Sequence, residues 1–202
     1  MPSSPPRTFY EFFAGGGMAR VGLGAQWRCA FANDFNALKA EVYRANFGGD
    51  HFVEGDVGAL DAAALPGAAD LAWASFPCQD LSLAGSRGGL AAKRSSSFFG
   101  FWRLMEALIE ERRAPRIIAL ENVSGLLTSS GGKDFVALCR HFAQAGYRFG
   151  ALEIDAARFT PQSRPRVFVI AVRDDLPRPV SLEEEIGPIA IPSVFHTRSV
   201  RA

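Results

Sequence analysis

Seven short apolar runs alternate with four helix-like segments, and this alternation constrains the fold more than any other feature of the chain. The runs are TFYEFFA (8–14), WRCAFAN (27–33), HFVEGD (51–56), DLAWASF (70–76), RIIALEN (116–122), YRFGALEI (147–154) and RVFVIAV (166–172). Between them, MARVGLGAQ (18–26), FNALKAEVYRANF (35–47), SFFGFWRLMEALIEERR (97–113) and DFVALCRHFAQAG (134–146) read as helices. Strands that are apolar on both sides need cover on both faces, and helices between successive strands supply it. The expected fold is α/β, a doubly wound and mostly parallel sheet. Only a short loop separates the last two runs, so they are expected to pair as an antiparallel hairpin.

A length of 202 residues predicts one domain, which the runs place at residues 8–174. Residues 1–7 read as a disordered lead-in. LPRPVSLEEEIGPIAIPS (176–193) is Pro-rich and acidic in its middle, so residues 175–202 read as an extended tail or linker leaving the domain. A net charge of +1 points to no polyanion by itself, so a nucleic-acid partner would need a local basic patch. The three cysteines, Cys29, Cys78 and Cys139, make no disulfide framework, and no pair has metal-ligand spacing. Free thiols, a polar N-terminus and the lack of an apolar run of about 18 residues predict a cytoplasmic protein with no membrane partner.

FFAGGGMARVGL follows the first run and opens the first helix. Gly15, Gly16 and Gly17 allow a sharp turn and close approach to a ligand, and a helix start aims N–H groups at it. In such sheets ligands sit beyond the carboxyl ends of the strands. Asp34, 19 residues after Gly15, is placed to meet a ribose. Asp56 is placed to read an adenine amino group, and Phe35 to stack on the ring. Taken alone, the run is also compatible with a plain turn. A dinucleotide fingerprint fails, because Arg20 stands at its third glycine position. A nucleoside cofactor without a pyrophosphate suits the site better.

Cys78 follows Pro77 at the end of the fourth run, on the same edge as the glycine loop. A thiol there can be exposed and ionised, whereas Cys29 and Cys139 sit inside apolar patterns and read as inert. Glu121 and Asn122 end the next run, where partial desolvation would let the carboxyl hold a proton. A strand-end cap or salt bridge is the plainer reading of that glutamate. Arg164 and Arg166 alternate in QSRPR, so they share one side of an extended segment, either as a solvated pair or as a clamp for an anion or carbonyl. A thiol, a protonated carboxyl and an arginine pair beside a nucleoside cofactor suit conjugate addition to an electron-poor ring followed by group transfer.

These residues carry a resemblance to the cytosine-C5 DNA methyltransferases. FFAGGGMARVGL resembles their first motif, with Met18 where a glycine is usual, and AND with Phe35 and GD (55–56) resemble the second and third. FPCQDLS, ENV (121–123) and QSRPR (162–166) match their cysteine, glutamate and arginine motifs in order and spacing. The resemblance covers about residues 8–173 and implies a Rossmann-like methyltransferase sheet with S-adenosyl-L-methionine as cofactor. It implies cofactor contacts from Phe13, Ala14, Gly15, Gly16, Gly17, Met18, Asp34, Phe35, Asp56, Val57 and Pro77. It implies substrate contacts from Gln79, Ser82, Arg87, Asn122, Val123 and Gln162. The implied partner is double-stranded DNA with a flipped cytosine, attacked at C6 by Cys78 and held by Glu121, Arg166 and Arg164. Residues 81–97, with Arg87, Lys93 and Arg94, would close as a lid.

The target-recognition region and final helix that family members carry beyond QSRPR are not recognisable in residues 175–202. The expectation is the catalytic part of a split enzyme, whose second subunit carries DNA recognition. A folded relic, or a regulatory module that binds cofactor or DNA on the same scaffold, is the alternative.

Overall fold

The computed structural model describes residues 5–77 and 97–177, and the backbone of Arg198–Val200. In chain order the strands are β1 (Arg7–Phe12), β2 (Trp27–Asp34), β3 (Phe52–Glu54), β4 (Leu71–Ala74), β5 (Ile117–Val123), β6 (Tyr147–Asp155), β7 (Pro165–Arg173) and β8 (Arg198–Val200). The helices are α1 (Met18–Leu23), α2 (Ala37–Phe47), α3 (Ser97–Glu110) and α4 (Lys133–Gln144). The strands form one sheet in the order β3-β2-β1-β4-β5-β7-β6-β8. The first five in that order are parallel, while β7 runs antiparallel to both β5 and β6. The doubly wound α/β expectation and the closing antiparallel pair both hold.

Strand periodicity divides the core. Tyr10, Phe12, Ala72, Ala74, Ile118, Leu120, Val167 and Val169 point to one face, where they meet Phe98, Phe101 and Met105 of α3 and Leu138 and Phe142 of α4. Phe9, Cys29, Ala32, Leu71 and Ala119 point to the other, against Ala40 and Tyr43 of α2. In α4 the buried Phe135, Leu138, Cys139 and Phe142 recur at helical spacing. Each large side chain buried this way contributes roughly 1.5–3 kcal/mol. Burial pushes the Cys29 and Cys139 thiols up to about 11, in keeping with inert structural cysteines.

Several element ends depart from the sequence reading: Arg7, read as part of a disordered lead-in, already belongs to β1, α2 starts at Ala37 where Asn36 caps it through the Lys39 N–H, and α3 ends at Glu110 rather than residue 113. The first helix ends at Leu23 rather than residue 26, because Gly24 takes a positive φ (73°) that only glycine adopts readily, and its N–H bonds back to the Arg20 carbonyl. Part of the expected tail also rejoins the sheet, since Arg198–Val200 add an antiparallel strand to β6. Three residues are too few for a strand pattern to register, but the open edge of β6 offers them a row of backbone partners.

Strand order reverses between β1, which continues through β2 to β3, and β4, which starts the other half of the sheet. At such a switch point the loops leaving neighbouring strands diverge and open a crevice. Residues 13–17 after β1 and 75–77 after β4 flank it.

Candidate active site

The glycine loop is fastened to the sheet behind it. The Ala14 N–H donates to the Asn33 carbonyl at 2.9 Å, and the Gly17 N–H closes a turn onto the Ala14 carbonyl at 2.8 Å. Asp34, only 3 % exposed, accepts the Gly15 N–H on Oδ2 at 2.8 Å and the Asn36 N–H on Oδ1 at 2.9 Å. Asp34 is therefore first a strut of the loop; a ribose would have to share a carboxylate that already holds two backbone donors. Phe35 beside it is 65 % exposed, a large ring left in solvent next to the crevice. Asp56 is exposed and caps the short turn Val57–Ala59 through Gly58, while Val57 is buried. Met18 is 74 % exposed, so its bulk projects into solvent instead of crowding the turn.

Gly17 is fixed by two independent constraints. Its φ is +83°, and a Cβ added there would sit 2.3 Å from Phe47 Cε2 and 3.1 Å from Tyr43 Cε2. Left-handed strain of roughly 1–3 kcal/mol and overpacking of a similar size add together. Gly17→Ala is therefore expected to destabilise the protein by about 2–5 kcal/mol, read as a lowered midpoint in urea denaturation. By contrast, a Cβ on Gly15 meets nothing within 4 Å, so the loop is open on that side.

Phe13 takes a left-handed backbone (φ 56°) and sets its ring edge-on to Phe76 at 6.5 Å. Phe76 is 3 % exposed, and its carbonyl accepts from Asn122 Nδ2 at 3.0 Å. Asn122, 4 % exposed, thus ties the end of β5 to the segment leaving β4. It also accepts the Val123 N–H at 2.9 Å. Pro77 then emerges exposed. Cys78, Gln79, Ser82 and Arg87, with nearly all of the expected lid, lie outside the described residues.

Next to Asn122, Glu121 Oε1 pairs with Arg166 Nε at 3.0 Å, both side chains about one-fifth exposed. The carboxyl is thus not a lone desolvated acid, as its apolar neighbours in sequence suggested, but half of an ion pair. The sheet register explains the meeting: Val123 lies opposite Arg166, and Glu121 opposite Phe168. Residues two apart on one strand share a face, so the two side chains stand as diagonal neighbours.

Arg164 does not join this pair. It is exposed, and its backbone N–H donates to Asp155 Oδ1 at 2.6 Å. Asp155 also accepts from the Ala157 N–H at 3.0 Å and the Ser163 hydroxyl at 2.8 Å. These N–H and O–H donors hold its carboxyl below the usual range. Asp155 so closes the loop that carries Gln162, which is exposed, and Arg164. Motif reading passed over this residue; its only trace in sequence is an Asp at a strand end ahead of two alanines, an Asx-turn signal.

Residues 7–194 match the profile of the C-5 cytosine-specific DNA methylase family. The chain is 32 % identical over 171 residues to the type II methyltransferase M.BsuFI of Bacillus subtilis, covering 84 % of this chain and 40 % of that protein. It is 31 % identical over 188 residues to the type II methyltransferase M.NlaX of Neisseria lactamica, covering 89 % and 58 %. The chain thus spans about half the length of the curated relatives it matches. Among solved structures, the Dnmt2 methyltransferase of S. pombe shares the fold, with a TM-score of 0.71 and 21 % identity over 93 % of this chain and 57 % of that one. The chain belongs to the C-5 cytosine-specific DNA methylase family.

Proposed function

We propose that this chain carries the catalytic machinery for methyl transfer from S-adenosylmethionine to C5 of cytosine in DNA. The observation that carries the reading is the Glu121–Arg166 pair, set beside Asn122 and the emerging Pro77 on the edge that also bears the glycine loop. Family membership and the type II methyltransferase relatives support it.

The crevice fits the cofactor. The open side of Gly15, the exposed Phe35 ring and the exposed Asp56 carboxylate offer a backbone cradle, a stacking surface and an acceptor for an amino group. Bound there, S-adenosylmethionine supplies an electrophilic methyl group. The target base must leave the helix stack to reach Cys78. The Cys78 thiolate adds to ring C6, which makes C5 nucleophilic. Glu121 faces the exocyclic amine and stabilises protonation of N3 as the ring accepts charge, while Arg166, ion-paired with it, orients the base at its carbonyl. After C5 has taken the methyl group, loss of its proton and expulsion of Cys78 restore the aromatic ring. A second subunit carrying the target-recognition region is proposed to supply DNA recognition.

The test is a duplex with 5-fluorocytosine in many sequence contexts, incubated with the chain and methyl-labelled S-adenosylmethionine. Fluorine at C5 blocks the final elimination, so a competent enzyme stays bonded to DNA. The expected result is a labelled covalent adduct, weak with the chain alone and strong when extract of the source organism is added. Cofactor binding without any adduct in either arm would replace this reading with a regulatory module.

A further inference from the structure

Beneath the glycine loop lies a buried polar cluster that none of these roles uses. Glu11 is 1 % exposed on β1 and, two residues from Phe9, points to the α1–α2 side of the sheet. Its Oε1 accepts the Arg20 backbone N–H at 3.4 Å, and the Ala19 N–H adds to the same carboxylate. Its Oε2 faces the Tyr43 hydroxyl of α2 at 3.5 Å. That hydroxyl also lies 3.5 Å from Cys29 Sγ of β2 and 3.3 Å from His51 Nε2, just ahead of β3. Arg20 Nη1 donates to the Tyr43 oxygen at 3.2 Å and lies 2.6 Å from His51 Nε2. Arg20, Cys29, Tyr43 and His51 are the titratable and charged groups gathered around Glu11 from α1, β2, α2 and the segment before β3.

Ala19 and Arg20 belong to the first turn of α1, directly after residues 15–17. A buried carboxylate on those N–H groups fixes where the turn begins and so how the loop stands. We propose that Glu11 is a positioning residue that clamps the glycine loop from below and thereby holds the cofactor cradle open. The proposal rests on the S-adenosylmethionine reading for its consequence and on the cluster geometry for the clamp.

Burial pushes the Glu11 carboxyl up to about 7, against the pull of the Arg20 N–H and charge, the Tyr43 hydroxyl and the Ala19 N–H. Burial also pushes Cys29 up to about 11 and raises Tyr43, so neither changes charge near neutrality. Burial, with Arg20 beside it, pushes His51 down. The clamp is therefore charged above about pH 7 and neutral below it. Cofactor affinity follows the charged form, while stability runs the other way. Glu11 titrates higher in the fold than in the unfolded chain, so its stabilising contribution is present in acid and lost as pH rises through about 7. A merely structural glutamate would leave cofactor affinity flat over that range.

The experiment is calorimetric titration with S-adenosylmethionine between about pH 6 and pH 8.5, alongside amide NMR of Gly17, Ala19 and Arg20 over the same range. Wild type, Glu11→Gln and His51→Gln are compared, since glutamine keeps the acceptor but does not titrate. Wild-type affinity is expected to fall about tenfold on acidification, the size of one charge-assisted hydrogen bond. The Ala19 and Arg20 amides are expected to titrate with the same midpoint. Both effects should vanish in Glu11→Gln and persist in His51→Gln. Amides that do not titrate in wild type, or a pH dependence that survives Glu11→Gln or is lost in His51→Gln, overturn the proposal. If no cofactor binds at any pH while the amides still titrate, the cofactor reading falls and the clamp stands.

Discussion

Cys78→Ser is expected to slow methyl transfer by more than about a thousandfold while leaving S-adenosylmethionine affinity unchanged. In the proposed mechanism the attacking species is a thiolate, and a serine hydroxyl ionises far less readily at neutral pH. The segment leading to position 78 is fixed by contacts of its own. Phe76 is buried between Phe13 and Phe98, its carbonyl is held by Asn122, and Pro77 then turns out to solvent. These contacts are made by Phe76 and Asn122, so the loss is expected in the rate and not in folding or cofactor binding. Initial rates with labelled cofactor, set beside equilibrium binding of the same cofactor, separate the two. Residual transfer within roughly tenfold of wild type would sink the covalent mechanism.

The sheet was legible because its strands are unusual in composition. RVFVIAV is apolar on both sides, and it became β7, buried between β5 and β6. YRFGALEI mixes Arg148, Gly150 and Glu153 into its apolar positions, and it lies further out as β6. Motif spacing likewise brought Glu121 and Arg166 to one strand edge. Their direct contact was not legible, because it depends on the antiparallel register that sets Val123 against Arg166. Glu11 escaped notice for a related reason. Within TFYEFFA it reads as one polar residue in an apolar strand, and only the folded arrangement of Arg20, Tyr43 and His51 gives it partners. Asp34 shows the converse case: spacing placed it correctly at the end of β2, while its hydrogen bonds to Gly15 and Asn36 were set by the loop conformation. Sequence pattern reports which face or edge a residue occupies. What a side chain touches there depends on register and turn geometry, which pattern does not carry.

Glu121→Gln is expected to lower the rate of transfer about 10²- to 10⁴-fold, the usual contribution of a placed acid or base. Glutamine preserves the shape, so the effect isolates the proton and the charge. Arg166→Ala is expected to act on rate and stability together. It removes the guanidinium 3.0 Å from Glu121 and leaves a carboxylate with only about one-fifth of its side chain exposed. The stability cost is placed at about 1–3 kcal/mol, above that of a surface pair and below that of a fully buried one. Arg166→Lys keeps the charge without the fork and should recover stability more than rate. The double variant Glu121→Gln with Arg166→Ala closes a cycle in both quantities. If the pair orients the base, the rate effects are strongly non-additive, because either loss already disables the same step. If the pair is only a strut between β5 and β7, the coupling appears in the denaturation midpoint alone, and Glu121→Gln transfers methyl groups at the wild-type rate.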